Sequence, residues 1–384
     1  MAVQDLDDLR LIDHHCHGVV SSDLDRDAFE GMISESFHPR PPGTSQFDSP
    51  LGLAVRAWCG PVLGLEPFAS PEDYIDRRAQ LGADEVARRF LREAGLGALL
   101  LDTGYRSGEL HEPSGMRDLA AVPVHEVVRL ETVAEAVAGA GGDASAYPSA
   151  FSGALAEASR DAVGFKTIVA YRGGFGFDPE PPDDAEVIRA AGSFLETAAS
   201  GRPRLSDPVL LRFGIWTGAR LARERGMPIQ FHVGWGDPDL ELHLTNPSLL
   251  TRLIREFAEL GVNVALLHCY PFHREAAYLV AMYPNVYFDV GSALHYHGPS
   301  SGRLLAEALE VAPFSKLLFS SDAFGLAEQY YLGAMLHRRA LGEVLGEWIA
   351  ADHCDAATAD RIAEGIGRGN ALRIYPLPEG AGTG

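Results

Sequence analysis

Cysteine is scarce in this 384-residue chain: Cys16, Cys59, Cys269 and Cys354 lie far apart, with no Cys-x-x-Cys pair. Neither a disulfide framework nor a zinc finger is expected at that spacing, and reduced thiols in a cytoplasmic setting are the default. Basic runs are equally short. None exceeds Arg88-Arg89 or Arg338-Arg339, and 32 basic residues face 53 acidic ones, for a formal charge of −21. Nucleic acid and anionic membranes are therefore unsuitable partners, which leaves a small-molecule substrate. Long apolar runs are also missing. Nothing approaches the roughly 20 residues of a membrane span, and Met1 to Arg10 lacks the apolar segment of a secretory leader. No Gly-x-Gly-x-x-Gly follows the first apolar run, so the dinucleotide-binding fingerprint is absent as well.

What is present is a regular series of short apolar runs. Leu11 to His15, Ala98 to Asp102, Val122 to Leu130, Ala162 to Ala170, Pro228 to Val233, Val262 to His268, Val286 to Val290 and Lys316 to Ser321 read as strands. Amphipathic stretches such as Asp207 to Arg225 and Pro247 to Leu260 separate them as crossover helices. This α/β alternation predicts a (β/α)8 TIM barrel, with residues 1–384 forming one domain. Gly18 to Gly97 is too long for a single crossover. Its Pro-rich joints, His38-Pro39-Arg40-Pro41-Pro42 and Glu66-Pro67, predict a helical cap inserted after strand one, residues 18–97. Insertions of this size often pack between subunits, so a homo-oligomer is compatible with the sequence.

The chemistry concentrates at strand ends. In Leu11-Ile12-Asp13-His14-His15-Cys16-His17 the alternation of a strand puts Asp13, His15 and His17 on one face, with His14 and Cys16 on the other. Strands five, six and eight end in His232, His268 and Asp322. One histidine after an apolar strand is more often structural than a ligand. Four imidazoles and a carboxylate at the same ends match the donors of a divalent ion, zinc first, with iron or manganese as alternatives. His295 and His297 repeat the spacing but sit among Gly291, Ser292 and Gly298-Pro299, which read as a loop and rank lower. Arg129, Tyr171 and Arg172 follow strands three and four, where a guanidinium can hold a substrate carboxylate or merely pair with an acid. His273 lies just beyond His268 and is assigned to substrate contact. Asp102 and Asp289 end strands two and seven and are candidates for orienting ligand histidines. Ser34-Glu35-Ser36-Phe37-His38 reads first as a solvated helix face, with a place at the barrel mouth as the alternative.

The strand order, His-x-His at one, His at five and six, Asp at eight, resembles the amidohydrolase superfamily of metal-dependent hydrolases. Gly164-Phe165-Lys166-Thr167-Ile168-Val169-Ala170-Tyr171-Arg172, Gln230-Phe231-His232-Val233-Gly234-Trp235-Gly236-Asp237, Leu266-Leu267-His268-Cys269-Tyr270-Pro271 and Ser320-Ser321-Asp322 are similar to its amidohydrolase-2 branch. Within that branch they most resemble the domain fused to glutamine-synthetase-like regions in fungal and plant nodulin-type proteins, here without the synthetase. The resemblance implies His15, His17, His232 and Asp322 as metal ligands, with His268 a ligand of a second ion or a polarising group. Lys166 would bridge two ions as a carbamate, or else pair with Asp322 or Asp102. One ion or two stays open. The implied reaction is hydrolysis of a C–N bond, an amide or γ-glutamyl-type amide of a small carboxylate-bearing substrate. A divalent ion lowers the pKa of bound water from 15.7 to about 7, and Asp322 serves as general base and then general acid. A decarboxylase of unsaturated or aromatic acids, a non-haem iron oxygenase and a catalytically silent scaffold or sensor barrel are the alternatives.

Overall fold

A computed structural model of the chain describes residues 6–105, 108–201 and 203–378. Among the described residues seven strands form one parallel sheet in sequence order: β1 (Leu11–Cys16), β2 (Leu96–Asp102), β3 (Val124–Arg129), β4 (Gly164–Thr167), β5 (Ile229–His232), β6 (Val264–Leu267) and β7 (Val286–Phe288). All but β3 are buried along their whole length. Helices cover a sheet of this kind, so its strands read as continuous apolar runs rather than alternating ones. Among the described residues no helix is long and apolar enough to cross a membrane.

The eighth expected strand, Lys316 to Ser321, is corrected by the structure. It forms no regular strand, only an isolated parallel bridge between Leu317 and Phe288. Its backbone nevertheless bonds both flanks. Leu318 N–H donates to Phe288 at 2.9 Å, His14 N–H to Phe319 at 3.2 Å, and Asp322 N–H to His15 at 3.0 Å. The segment therefore runs between β7 and β1 and delivers Asp322 beside the histidines. Irregularity has a local cause: Ser321 N–H and Oγ both donate to the Asp13 carboxylate, at 2.9 and 2.5 Å. The fourth expected strand is cut short in a similar way. Thr167 Oγ1 and Ile168 N–H bond the buried Glu131 carboxylate, at 2.6 and 3.0 Å, and a 3-10 turn follows over Val169–Arg172.

Strict alternation also fails in β1. A register shift lies between Asp13 and Cys16, so Asp13 leaves the histidine face and binds Ser321. His14 turns inward instead. Its Nε2 donates to Asp289 at 2.9 Å and its Nδ1 accepts from the Tyr375 hydroxyl at 2.8 Å. Gln230 Nε2 donates to that hydroxyl and to the His14 carbonyl, at 2.9 and 2.7 Å. Tyr375 follows the helix Asn370–Ile374 and packs with Ile12, Ala98, Leu100, Ala265 and Leu267.

Between β1 and β2 the chain is largely helical, with helices Arg26–Met32, Pro50–Ala54, Pro71–Leu81 and Ala83–Glu93. The N-termini of the first three are capped by the side chains of Asp25, Ser49 and Ser70. Arg78 ties this segment to the long helix Ala327–Ala350 through a buried ion pair with Glu328, which also accepts from Tyr74 at 2.8 Å. β2 begins at Leu96, so the expected limit at residue 97 falls inside it.

Candidate metal centre

Four ligand-type side chains meet where β1, β6 and the 317–323 segment end. The His15 and His17 rings lie 5.1 Å apart, edge to face. His15 Nε2 is 3.2 Å and His17 Nε2 3.8 Å from Asp322 Oδ1, while His268 Nε2 is 3.8 Å from Oδ2. His15, His268 and Asp322 offer donor atoms all within 4.8 Å of one another, and so do His15, His17 and Asp102. His232, closing β5, belongs to neither group. Its ring sits 4.1 Å from His268 and 4.4 Å from Tyr171, and its buried Nε2 has no hydrogen-bond partner. Lys166 is buried with Nζ 3.3 Å from His15 Nε2.

Backbone geometry marks two of these residues. His268 and Asp322 have φ of 40° and 50°, the left-handed region that non-glycine residues adopt at a cost of about 1–3 kcal/mol. Hydrogen bonds hold them there: His268 N–H donates to Asp289 Oδ1 at 2.8 Å, and Asp322 N–H to the His15 carbonyl. Side chains are fixed as well. Carbonyls only accept, so the bonds of His17 Nδ1 to Asp102 (3.0 Å) and of His268 Nδ1 to Val233 (3.1 Å) put the proton on Nδ1. Each Nε2 lone pair is left for the centre.

Electrostatics give the protonation states a cation requires. Burial, assisted by neighbouring Lys166, pushes His15 down to about 3, and burial likewise lowers His17, His232 and His268. Burial opposes charge on Asp322, but His268 and His15 outweigh it and hold the carboxyl well below its ordinary range. Lys166 is brought down to about 8 by burial, against the pull of Asp102 and Asp322. Neutral imidazoles facing a carboxylate, with an unpartnered Nε2 on His232 and Nδ1 on His15, suit a divalent ion.

These groups line a cavity of about 240 Å³, whose walls include Arg129, Tyr171, Arg172, Arg204, Trp235 and Asp237. The turn after β5 approaches closely. A Cβ on Gly236 would stand 2.2 Å from the Tyr171 hydroxyl and 3.0 Å from His232 Nε2. Arg129 is committed to Asp102 through Nη2 (2.6 Å) and Nε (3.1 Å), and Arg172 Nη2 bonds Glu135 at 3.2 Å. Asp102 orients His17 by its carbonyl, while Arg129 overrides burial and keeps its carboxylate charged. Asp289 steadies His268 through the backbone and pairs with His14 rather than with a ligand ring.

His273 is placed elsewhere. It lies outside the cavity lining and bonds Glu307 at 3.0 Å, a partner 34 residues away, which removes the ground for its substrate role. His295 and His297 lie on a helix, Gly291–His297, not in a loop, and neither lines the cavity. Glu35 takes the second of its two expected places: the β1–β2 segment brings it to the cavity wall, half-buried. No periodicity marks that residue, whereas Asp237 and Trp235 belong to the stretch after His232 that the family resemblance had already singled out.

Comparison with known proteins gives the family and the fold. Protein FluG of Emericella nidulans is 29% identical over 407 residues, covering 96% of this chain and 46% of FluG, so the chain spans about half of that curated relative. A Lactobacillus casei protein, provisionally described as a metal-dependent hydrolase, is 29% identical with a TM-score of 0.82, covering 97% of this chain and 96% of that one. Uronate isomerase of Thermotoga maritima shares the fold at 14% identity, with a TM-score of 0.62 and coverage of 97% and 96%. The amidohydrolase family model matches residues 105–377, a span that includes Lys166, His232, His268 and Asp322. The chain belongs to the amidohydrolase family and is an amidohydrolase-type, metal-dependent enzyme.

Proposed function

We propose that the chain hydrolyses a C–N bond, an amide or γ-glutamyl-type amide, in a small carboxylate-bearing substrate. The observation that carries this reading is the convergence of His15, His17, His232, His268 and Asp322 on one cavity whose wall also includes Arg172 and Arg204. We read the architecture as a TIM-type barrel with the irregular 317–323 segment in the eighth position, and the setting as cytoplasmic. His15, His17, His232 and Asp322 are the proposed ligands, with zinc the first choice of ion. When bound, the ion supplies Lewis acidity, lowering the pKa of water and polarising a carbonyl. Asp322 does the proton work: ionised at neutral pH and close to three imidazoles, it takes a proton from attacking water and returns it to the leaving amine. We assign His268 Nε2, its Nδ1 anchored by the Val233 carbonyl, to polarising the substrate carbonyl. Lys166, brought down to about 8, holds a neutral fraction at pH 7 able to add carbon dioxide, and its state sets whether one ion or two is held.

The test is a hydrolysis screen of the metal-loaded protein over γ-glutamyl amides, other N-acyl amino acids and aromatic acids, with carbon dioxide release followed in parallel. Release of an amine or ammonia supports the reading. Carbon dioxide without either overturns it in favour of decarboxylation.

A further inference from the structure

The cavity wall is unbalanced in charge. Each of its guanidinium groups already has a carboxylate partner: Arg129 with Asp102, Arg172 with Glu135 at 3.2 Å, and Arg204 with Asp239 at 3.5 Å. Two acids on the same wall have none. Among the described residues neither Glu35 nor Asp237 makes an ion pair, although both line the cavity together with Asp322. Their surroundings are aromatic. The Trp235 and Tyr296 rings lie 5.5 Å apart, the Tyr296 hydroxyl is next to Glu35, and the Tyr171 hydroxyl abuts Gly236, which precedes Asp237.

A separate observation points to a ligand here. The Arg172 side chain is only 8% exposed, and while its Nη2 bonds Glu135, its buried Nε has no acceptor among the described residues. An unpartnered guanidinium N–H on a substrate cavity calls for a carboxylate. The two unpaired acids call for the opposite charge.

We propose that Glu35 and Asp237, flanked by the rings of Trp235 and Tyr296, form a subsite for a protonated amine, and that Arg172 Nε takes a carboxylate of the same substrate. Such a ligand is the α-amino-acid end of an acyl group. Carboxylate together with aromatic faces is the chemistry that holds an ammonium group. Burial, then Asp322, pushes Glu35 up to about 8, and burial also raises Asp237. An ammonium between them offsets that penalty on their charged forms. The inference rests on reading the cavity as the substrate site and narrows the substrate class.

Calorimetric titration of the metal-loaded full chain with L-glutamate and with glutarate, which lacks the amine, tests the subsite. Wild type is expected to bind glutamate at least about tenfold more tightly, and Glu35→Gln and Asp237→Asn are each expected to erase that preference while leaving glutarate binding unchanged. Circular dichroism checks that each variant is folded. Equal binding of the two ligands, binding of neither, or a preference that survives in both variants overturns the proposal. Hydrolysis of γ-glutamyl anilide, assayed separately, decides the reaction. A glutamate preference without hydrolysis keeps the subsite and rejects the amidase, and hydrolysis without a preference does the reverse.

Discussion

His15-x-His17 and His295-x-His297 have the same spacing, and the elements that carry them give it different meanings. At the end of β1, His15 and His17, the residue just past the strand, present both Nε2 atoms to Asp322. On the helix Gly291–His297 two residues correspond to about 200°. His295 is therefore fully buried, while His297 bonds the Ala293 carbonyl at 2.7 Å and meets Tyr270 edge to face. Burial neutralises both kinds of histidine, pushing His15 to about 3 and His295 to about 4. Low basicity is thus no mark of a ligand by itself. What distinguishes the first pair is the Asp322 carboxylate opposite both rings.

The largest effects should come from β1. His15→Ala and His17→Ala are each expected to lose bound metal and turnover together, as measured by elemental analysis after gel filtration, whereas His297→Ala should retain stoichiometric metal. Equal loss in His297→Ala would break the comparison. Asp322→Asn follows, with kcat reduced by on the order of 10²- to 10⁴-fold and native circular dichroism. Asp289→Asn should act indirectly by loosening the His268 backbone. At saturating metal kcat is expected to fall by about 10- to 100-fold, with metal content by elemental analysis unchanged.

The smallest predicted effect tests burial without a metal role. His337, 1% exposed, has both ring nitrogens unpartnered, and burial, then Arg338, pushes it down to about 3. Its folded value lies below the unfolded one of about 6.5, so the unfolded chain binds more protons between those limits. Stability is lost there as pH falls. Relative to His337→Leu, metal-free wild type should lose about 1–2 kcal/mol between pH 7 and pH 5 in denaturant titrations. A flat difference profile would show that His337 finds a proton partner in the fold.

Much of the site could be read from the chain because His232, His268 and Asp322 each follow a buried apolar run, where a polar side chain needs a reason to be. What could not be read depends on the backbone. The register shift that sends Asp13 to Ser321 and His14 to Asp289 leaves no trace in an alternating pattern. Neither does the left-handed conformation of His268 and Asp322. His273 looked like a substrate contact until Glu307, brought in by a different helix, claimed it. Glu35 reaches the cavity from an irregular segment between helices, where no period exists to read.

The central claim is that β1 supplies two ligands to one centre shared with Asp322. An anomalous-difference map from zinc-soaked crystals tests it most directly. The account predicts a peak within coordinating distance of His15 Nε2, His17 Nε2 and the Asp322 carboxylate. A peak at His295 or His297, or no peak among the β1 histidines, would contradict it.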